Sequence, residues 1–335
     1  MQKILVIAPT TANIYQVIVD GFRTYAPQIQ TEFLSISFPD YQYKNKAERV
    51  GNFLSKMFLN RNIKDIYNQK ILQERIDNLQ EKYDLIFAIH PDFLDDKTLH
   101  FIKSKTNKFI AYYWDTMSFL PRKKKIIPFF DRVYSFDSQD CKEYNLLLLT
   151  NFYYYEPAPA KIDKTLFCIS HLEKRRYKLF NEMGKFLEEN NITYRFMTKQ
   201  SVEKLKSPYI EYMKESIPYP EMLKLLNHYE VILDIAKPNQ AGLSFRIFES
   251  LGMNKKIITN NAAVMEYDFY NPKNILVIDF DNLVIPTAFF QTPYQPIDEA
   301  IKQKYHLRSF VWEIVGNIVK LWIWTIVFNK SETSI

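Results

Sequence analysis

Short runs of β-branched and other apolar residues alternate along the chain with stretches in which apolar positions recur every three or four residues. In the first half the runs fall at residues 4–8, 31–36, 84–89, 109–114 and 132–135, and each reads as a buried strand. Between them, residues 12–25, 46–82, 93–105 and 138–147 have helical spacing. The second of these breaks near Asn60, Arg61 and Asn62, and a short basic helix precedes residue 132. Residues 153–164 hold two prolines and no periodicity, which predicts a linker. The alternation then restarts, with strands at 165–170, 193–197, 231–235, 256–259 and 274–278 and helices at 174–189, 219–228 and 243–252. Pro220 sits in the first turn of the 219–228 helix, where its missing N–H costs nothing. A last helix is expected over about 307–329, carrying Trp312, Trp322 and Trp324. Repeated strand–helix alternation predicts parallel sheets with helices on both faces. The expected architecture is therefore α/β, with two Rossmann-like domains at 1–155 and 156–300 and a terminal segment at 301–335.

Composition narrows the class. The 335 residues suffice for two cores, and 47% apolar with 24% charged residues is a globular balance. Residues 1–9 lack a basic flank and a small-residue cleavage site, so they read as a first strand and not as a signal peptide. The apolar stretch nearest to membrane-spanning length, 310–328, is interrupted by Glu313, Asn317 and Lys320, so a packed or surface-lying helix is expected there. Cys141 and Cys168 match no metal-ligand spacing and read as reduced, buried thiols of a cytoplasmic protein. The formal net charge of +6 favours acidic partners, diphosphates and anionic lipids among them. No zinc-finger, RNA-recognition or helix-turn-helix pattern is present, so nucleic acid is not an expected partner. The basic, partly apolar run at 122–130 and the Trp-rich terminal helix each suit the surface of an anionic bilayer.

In parallel sheets ligands bind beyond the carboxyl ends of the strands, so the residues that follow each strand are the candidates for chemistry. These are Thr11 and Asn13, then His90, Asp115 and Asp137, and in the second half His171, Thr198 with Lys199, and the loop from Lys237 to Gly242. That loop is the most informative. It closes on one of only six glycines, and the 243–252 helix opens at Leu243 and Ser244. Free N–H groups at a helix start favour an anion, and glycine admits close approach to the backbone. Arg246 and Glu249 are three apart and Gly242 seven before Glu249, which places them on one side of the helix. A phosphate near the cation and a ribose hydroxyl on the carboxylate fit a nucleoside diphosphate. The same pattern fits a capped helix with a surface Arg–Glu pair worth about 0.3–0.5 kcal/mol.

Residues 242–260, GLSFRIFESLGMNKKIITN, resemble the donor-site signature of glycosyltransferases with the GT-B fold, in the group 1 and CgeB-like branch. Residues 167–180, FCISHLEKRRYKLF, resemble the strand–loop–helix of that family that carries a phosphate-binding cation. Residues 217–227, IPYPEMLKLLN, resemble its nucleobase-side loop and helix. The resemblance covers most of 165–280, and the first half agrees only in architecture. It implies two domains facing a central cleft, with the terminal helix crossing back to the first. It also implies a nucleotide-sugar co-substrate with no further cofactor, and transfer to a cell-surface glycan, capsule or lipopolysaccharide precursor, the acceptor being a glycan or lipid-linked. Arg175, Thr198, Lys237, Gly242, Leu243, Ser244, Arg246 and Glu249 become donor-side residues, and Thr11, Asn13 and His171 acceptor-side ones.

Many retaining members carry two glutamates separated by seven residues, with the second at the position of Glu249. Here Ala241 stands at the first, which favours an inverting mechanism with a general base. Asp115, directly after the aromatic run 112–114, and His90, before Pro91, follow central strands and are the candidate bases. Asp115 is preferred, since partial burial would raise a carboxyl toward a useful base. A helix cap or loop carboxylate for Asp115, and a structural histidine held extended before proline for His90, remain open. Thr11 and Asn13 could instead cap a helix, the more common use of these residues, Lys237 could be a solvated loop lysine, and His171 could be a structural histidine. The Asp279–Asp281 pair follows the last strand and reads as solvated, so no metal is expected. Two other functions stay open: a polyol-phosphate transferase of the same fold, and a catalytically silent nucleotide- or sugar-binding protein. A dehydrogenase is disfavoured because no G-x-G-x-x-G follows the first strand.

Overall fold

A computed structural model describes the chain except residues 11–12, 60, 80–81, 120–121, 156–159, 200–205, 216, 317 and 319–335. It contains two six-stranded sheets flanked by helices. The first sheet is built from β1 (Gln2–Ala8), β2 (Ile29–Ser35), β3 (Leu85–Ile89), β4 (Phe109–Tyr113), β5 (Arg132–Ser135) and β6 (Leu147–Leu148), in the order β2-β1-β3-β4-β5-β6. The second is built from β7 (Lys164–His171), β8 (Tyr194–Lys199), β9 (Ile210–Met213), β10 (Tyr229–Asp234), β11 (Lys256–Thr259) and β12 (Ile275–Val277), in the order β12-β11-β10-β7-β8-β9. All five pairings of the second sheet are parallel. Its order is that of a dinucleotide-type Rossmann sheet, in which the strand order reverses between β7 and β10; in such sheets ligands bind beyond the carboxyl ends of the strands at the reversal. In the first sheet the same reversal falls between β1 and β3, which pair in parallel from Ile4 and Leu85 onward.

The helices are α1 (Ile14–Tyr25), α2 (Lys46–Leu59), α3 (Ile63–Asp77), α4 (Asp96–Ser104), α5 (Arg122–Ile126), α6 (Ser138–Tyr144), α7 (Lys174–Glu189), α8 (Tyr219–Leu226), α9 (Phe245–Gly252), α10 (Ala288–Gln291), α11 (Glu299–Lys304) and α12 (Leu307–Val315). Alternation along the central strands explains the layering of the second sheet. Phe167 and Ile232 point to one face and pack with α8 and α9 through Met222, Leu226, Ile247 and Phe248. Leu166, Cys168, Val231 and Leu233 point to the other and pack with α7 through Leu179, Phe180 and Met183. In the first sheet Leu5, Ile7, Ile86 and Phe109 meet Leu72 and Ile76 of α3 and Leu99 and Ile102 of α4. On its opposite face Phe22 of α1 lies edge-on to Phe87, ring centroids 5.9 Å apart.

The chain divides into two compact units. One is built on Met1–Tyr112 and Leu120–Val133 and takes in Val315; the other comprises Tyr113–Phe119 and Tyr134–Ile314. Several expectations are corrected locally. Residues 46–82 do break, with the Asn62 side chain capping α3 at Lys64 N–H, 3.2 Å. The strand expected at 193–197 runs to Lys199, so Thr198 lies inside it, fully buried. Strands β6 and β9 are additional to the expected ones: each is short and lies at a sheet edge, β9 holds no unbroken apolar run, and β6 falls in the four-leucine run 146–149, whose start the expected 138–147 helix overlaps. Tyr153 is no free linker residue; it is buried and exchanges backbone hydrogen bonds with Tyr305 and Leu307. The basic run at 122–130 turns its apolar members inward, where Ile126, Phe129 and Phe130 join the core of the first sheet. Cys168 is buried and Cys141 half-buried, both as free thiols. Of the expected 307–329 helix, α12 accounts for Leu307–Val315, with Leu307, Phe310, Val311 and Ile314 buried; Trp322 and Trp324 lie outside the described residues. Among the described residues no helix is long and apolar enough to cross a membrane.

Candidate functional site

The segment from β10 to α9 sits at the point where the second sheet reverses. Asp234 closes β10 opposite Thr259 of β11. It is buried and accepts from Ser244 Oγ at 2.7 Å and Thr259 Oγ1 at 2.9 Å. Burial raises its carboxyl above the ordinary aspartate value, and these two hydroxyls oppose the shift. Ser244 spends its side chain on Asp234 and adopts an extended backbone (φ −67°, ψ 162°), so α9 begins at Phe245, two residues later than expected. Leu243 is consequently a buried turn residue whose carbonyl accepts from Asn151 Nδ2 at 2.9 Å.

Gly242 is held by Asp137, the residue that caps α6. Asp137 caps α6 through Oδ1, accepting from Gln139 and Asp140 N–H at 2.9 and 3.3 Å. Its Oδ2 accepts from the N–H groups of Ala241 and Gly242, both at 3.0 Å. The N–H groups of the turn at Ala241 and Gly242 are thus donated to a buried carboxylate. The space above Gly242 is also occupied: a Cβ there would come within 2.5–2.7 Å of the Phe136 ring. Glycine is required here by packing against Phe136, and its φ is not positive. The Gly242 carbonyl accepts from Gln240 Nε2 and Asn261 Nδ2 at 2.8 and 3.0 Å, so the turn is braced from three sides.

One turn into α9, Arg246 forms an ion pair with Glu249, as the spacing suggested. The pair is not a surface one. Glu249 is only 3% exposed, and its other oxygen accepts from Tyr219 Oη at 2.5 Å. Tyr219 opens α8, so the bond ties the nucleobase-side helix of the resemblance to the ribose-side one. Burial, then the neighbouring Glu249 charge, pushes the Tyr219 hydroxyl well above its usual range. Burial works against the Arg246 charge, but Glu249 outweighs it and the guanidinium pKa is held up. Separating such a buried pair costs about 3–5 kcal/mol, so the three side chains form a fixed unit.

The 167–180 segment carries two adjacent arginines with different surroundings. Arg175 is exposed, with its guanidinium 5.3 Å from the Phe280 ring centroid. Arg176, rotated 100° around α7, instead donates to the carbonyls of His171 and Ile235, both at 3.1 Å. Those carbonyls end β7 and follow β10, so Arg176 spans the reversal of the sheet. His171 itself is exposed. Thr198 Oγ1 donates to the Lys199 carbonyl at 3.3 Å, within its own strand.

Asp115 and Lys237 meet in the same compact unit, Lys237 Nζ donating to Asp115 Oδ1 at 3.0 Å. Trp114 beside them lies against Phe245, the first residue of α9, ring centroids 6.1 Å apart. Lys237 (paired with Asp115), Gly242 to Ser244, and Arg246 with Glu249 thus lie along the segment from the end of β10 into α9, whereas His171, Arg175 and Thr198 belong to β7, α7 and β8. His90 and Asn13 belong to the other unit. His90 is not held extended; it takes a left-handed conformation (φ 50°, ψ 54°) that turns the chain abruptly from β3 into the 3-10 turn at Pro91–Phe93. It is buried, with Nδ1 3.7 Å from Asp92 Oδ1. Asn13 precedes α1, also left-handed (φ 61°), and its side chain makes no capping bond. Thr11 lies outside the described residues. Asp279 turns back to accept from Asp281 N–H at 2.9 Å. Among the described residues no group of three or more His, Cys, Asp or Glu is placed to hold a metal ion.

No family model matches the chain, and no curated protein matches it. Among solved structures it is similar to the glycotransferase of kitacinnamycin, at TM-score 0.46 and 10% identity over 98% of both chains. It is also similar to Staphylococcus aureus MnaA solved with UDP, at TM-score 0.48 and 11% identity over 93% of this chain and 91% of that one. A third is Acinetobacter baumannii MurG, at TM-score 0.43 and 10% identity over 95% and 99% of the two chains. These proteins share about one residue in ten with this chain, so the roles of the site residues rest on the geometry described above.

Proposed function

We propose that the chain is a nucleotide-sugar-dependent glycosyltransferase whose donor half is the unit containing β7 to β12. The observation that carries this reading is the Arg246–Glu249 pair in the first turns of α9, bonded to Tyr219 of α8, at the carboxyl edge where the parallel sheet reverses. A helix start with a cation in its first turn suits a diphosphate, and a carboxylate one turn deeper suits ribose hydroxyls. Because Asp137 already takes the N–H groups of Ala241 and Gly242, the diphosphate is assigned to the α9 start at Phe245 and Arg246.

In the proposed reaction the bond from the sugar's anomeric carbon to the diphosphate breaks and a bond to an acceptor oxygen forms. The acceptor's proton passes to the Asp115 carboxylate, and the nucleoside diphosphate leaves with the bonding electrons. Arg246 and the α9 dipole stabilise its developing charge. Lys237 is paired with the base in this scheme. The reaction is proposed as inverting and metal-independent, with a glycan or lipid-linked acceptor. The test is release of free nucleoside diphosphate from a panel of nucleotide sugars. Slow hydrolysis of at least one, lost in Arg246→Ala and not reduced by a chelator, supports the reading. No turnover of any nucleotide sugar, with or without acceptor extract, contradicts it and favours a silent binding protein.

A further inference from the structure

Helix α2 is turned inside out. Its single buried residue is polar: Asn52, which donates to Tyr43 Oη at 2.8 Å and Asn62 Oδ1 at 3.2 Å and accepts from Ile63 N–H at 2.8 Å. Glu48, on the same side, accepts from Tyr41 Oη at 2.8 Å and Lys44 N–H at 2.6 Å. The opposite side is apolar and faces solvent. Val50, Phe53, Leu54, Met57 and Phe58 recur at helical spacing and, with Leu59 at the end, are 44–73% exposed, Phe58 the most. A helix that belongs to a core shows the reverse arrangement. Two phenylalanines and a methionine on one open stripe are more than scattered surface apolar residues.

The charges around the stripe point to what covers it. Residues 44–64 carry six cations, Lys44, Lys46, Arg49, Lys56, Arg61 and Lys64, against one carboxylate, Glu48, which is already engaged. All six cations are exposed. On a helical wheel Arg49 and Lys56 flank the apolar arc on one side. A second copy of this chain would bring like charge against like charge. An anionic bilayer satisfies both features at once: apolar side chains enter the acyl boundary while lysine and arginine heads stay at the phosphates. We propose that α2 is a membrane-docking helix that lays its Val50–Phe58 stripe into an anionic bilayer surface. The proposal does not depend on the sugar-transfer reading, and it differs from the two segments that sequence alone suggested for this contact.

The test is co-sedimentation of the full chain with vesicles of phosphatidylcholine alone and of phosphatidylcholine with phosphatidylglycerol. The wild type is expected to partition onto the anionic vesicles and to be released by salt. Because the stripe is exposed, the double variant Phe53→Ser/Phe58→Ser should keep the wild-type circular dichroism and melting temperature. Its partitioning should fall at least tenfold, and Arg49→Gln/Lys56→Gln should cost about fivefold for each cation removed. Undiminished partitioning of the Phe53→Ser/Phe58→Ser variant, or equal binding to neutral vesicles, overturns the proposal. So does a wild-type dimer that the double variant converts to monomer while neither form binds vesicles. Nucleotide-sugar turnover in detergent should be the same in these variants, so failure of this proposal is separable from failure of the proposed activity.

Discussion

Asp137 accepts the backbone N–H of Gly242 at 3.0 Å while the same carboxylate caps α6. One side chain therefore fixes two segments that are about a hundred residues apart in sequence. Four backbone N–H groups depend on it, and it is 1% exposed. Asp137→Ala should lower the unfolding free energy by on the order of 3 kcal/mol, as a lost cap plus stranded buried donors. Asp137→Asn keeps one acceptor oxygen and should lose less. Urea unfolding distinguishes them; equal stability of Asp137→Ala and wild type would show that the tie is unimportant.

Gly242→Ala should cost about 1–3 kcal/mol, because its Cβ meets the Phe136 ring at 2.5–2.7 Å. If the collision is the cause, adding Phe136→Leu to the same chain should recover part of the loss. A double variant no more stable than the sum of the two single changes would remove packing as the reason for glycine here.

These two cases mark the limit of what the sequence made legible. β1, β3, β7 and β10 are continuous apolar runs because both faces of a parallel sheet are covered, and they were readable as such. The strand–turn–helix at 231–252 was readable too, and so was the Arg246–Glu249 pairing. What holds the turn was not. Asp137 and Phe136 lie over a hundred residues upstream of Gly242, and no local pattern reports a tertiary partner. Arg175 and Arg176 are adjacent, so only the rotation of α7 against the sheet decides which one reaches Ile235. The inverted polarity of α2 was equally hidden, since periodicity gives the width of an apolar stripe and not its direction.

Lys255 gives a pH test of the core. Its Nζ donates to the carbonyls of Asn227 and Tyr229, and burial lowers its pKa to about 8. A lysine whose folded value is depressed binds fewer protons in the native state than in the unfolded one between about pH 8 and its ordinary value. Stability from this group is therefore present at alkaline pH and lost as pH falls through 8. The difference in unfolding free energy between wild type and Lys255→Met should grow by on the order of 2 kcal/mol from pH 7 to pH 10. A pH-independent difference contradicts the buried, depressed lysine.

Asp115→Asn should reduce transfer by about 10²–10⁴-fold while leaving donor affinity within about twofold, as removal of a general base does. Lys237→Ala, which removes the cation 3.0 Å from Asp115, should shift the pH profile of transfer as well as its rate. An Asp115→Asn variant with wild-type turnover would move the base elsewhere, with His90 the next to examine.

The central claim is that α9 and its Arg246–Glu249–Tyr219 unit hold a nucleoside diphosphate. The direct measurement is the melting temperature of wild type and Arg246→Gln with saturating UDP, GDP, ADP and CDP, alongside each protein without nucleotide. At about 100 times its dissociation constant a ligand stabilises by about 2.7 kcal/mol. The account predicts that at least one nucleotide raises the wild-type melting temperature and that this rise disappears in a folded Arg246→Gln protein. No shift with any of the four, or a shift that survives unchanged in Arg246→Gln, contradicts it.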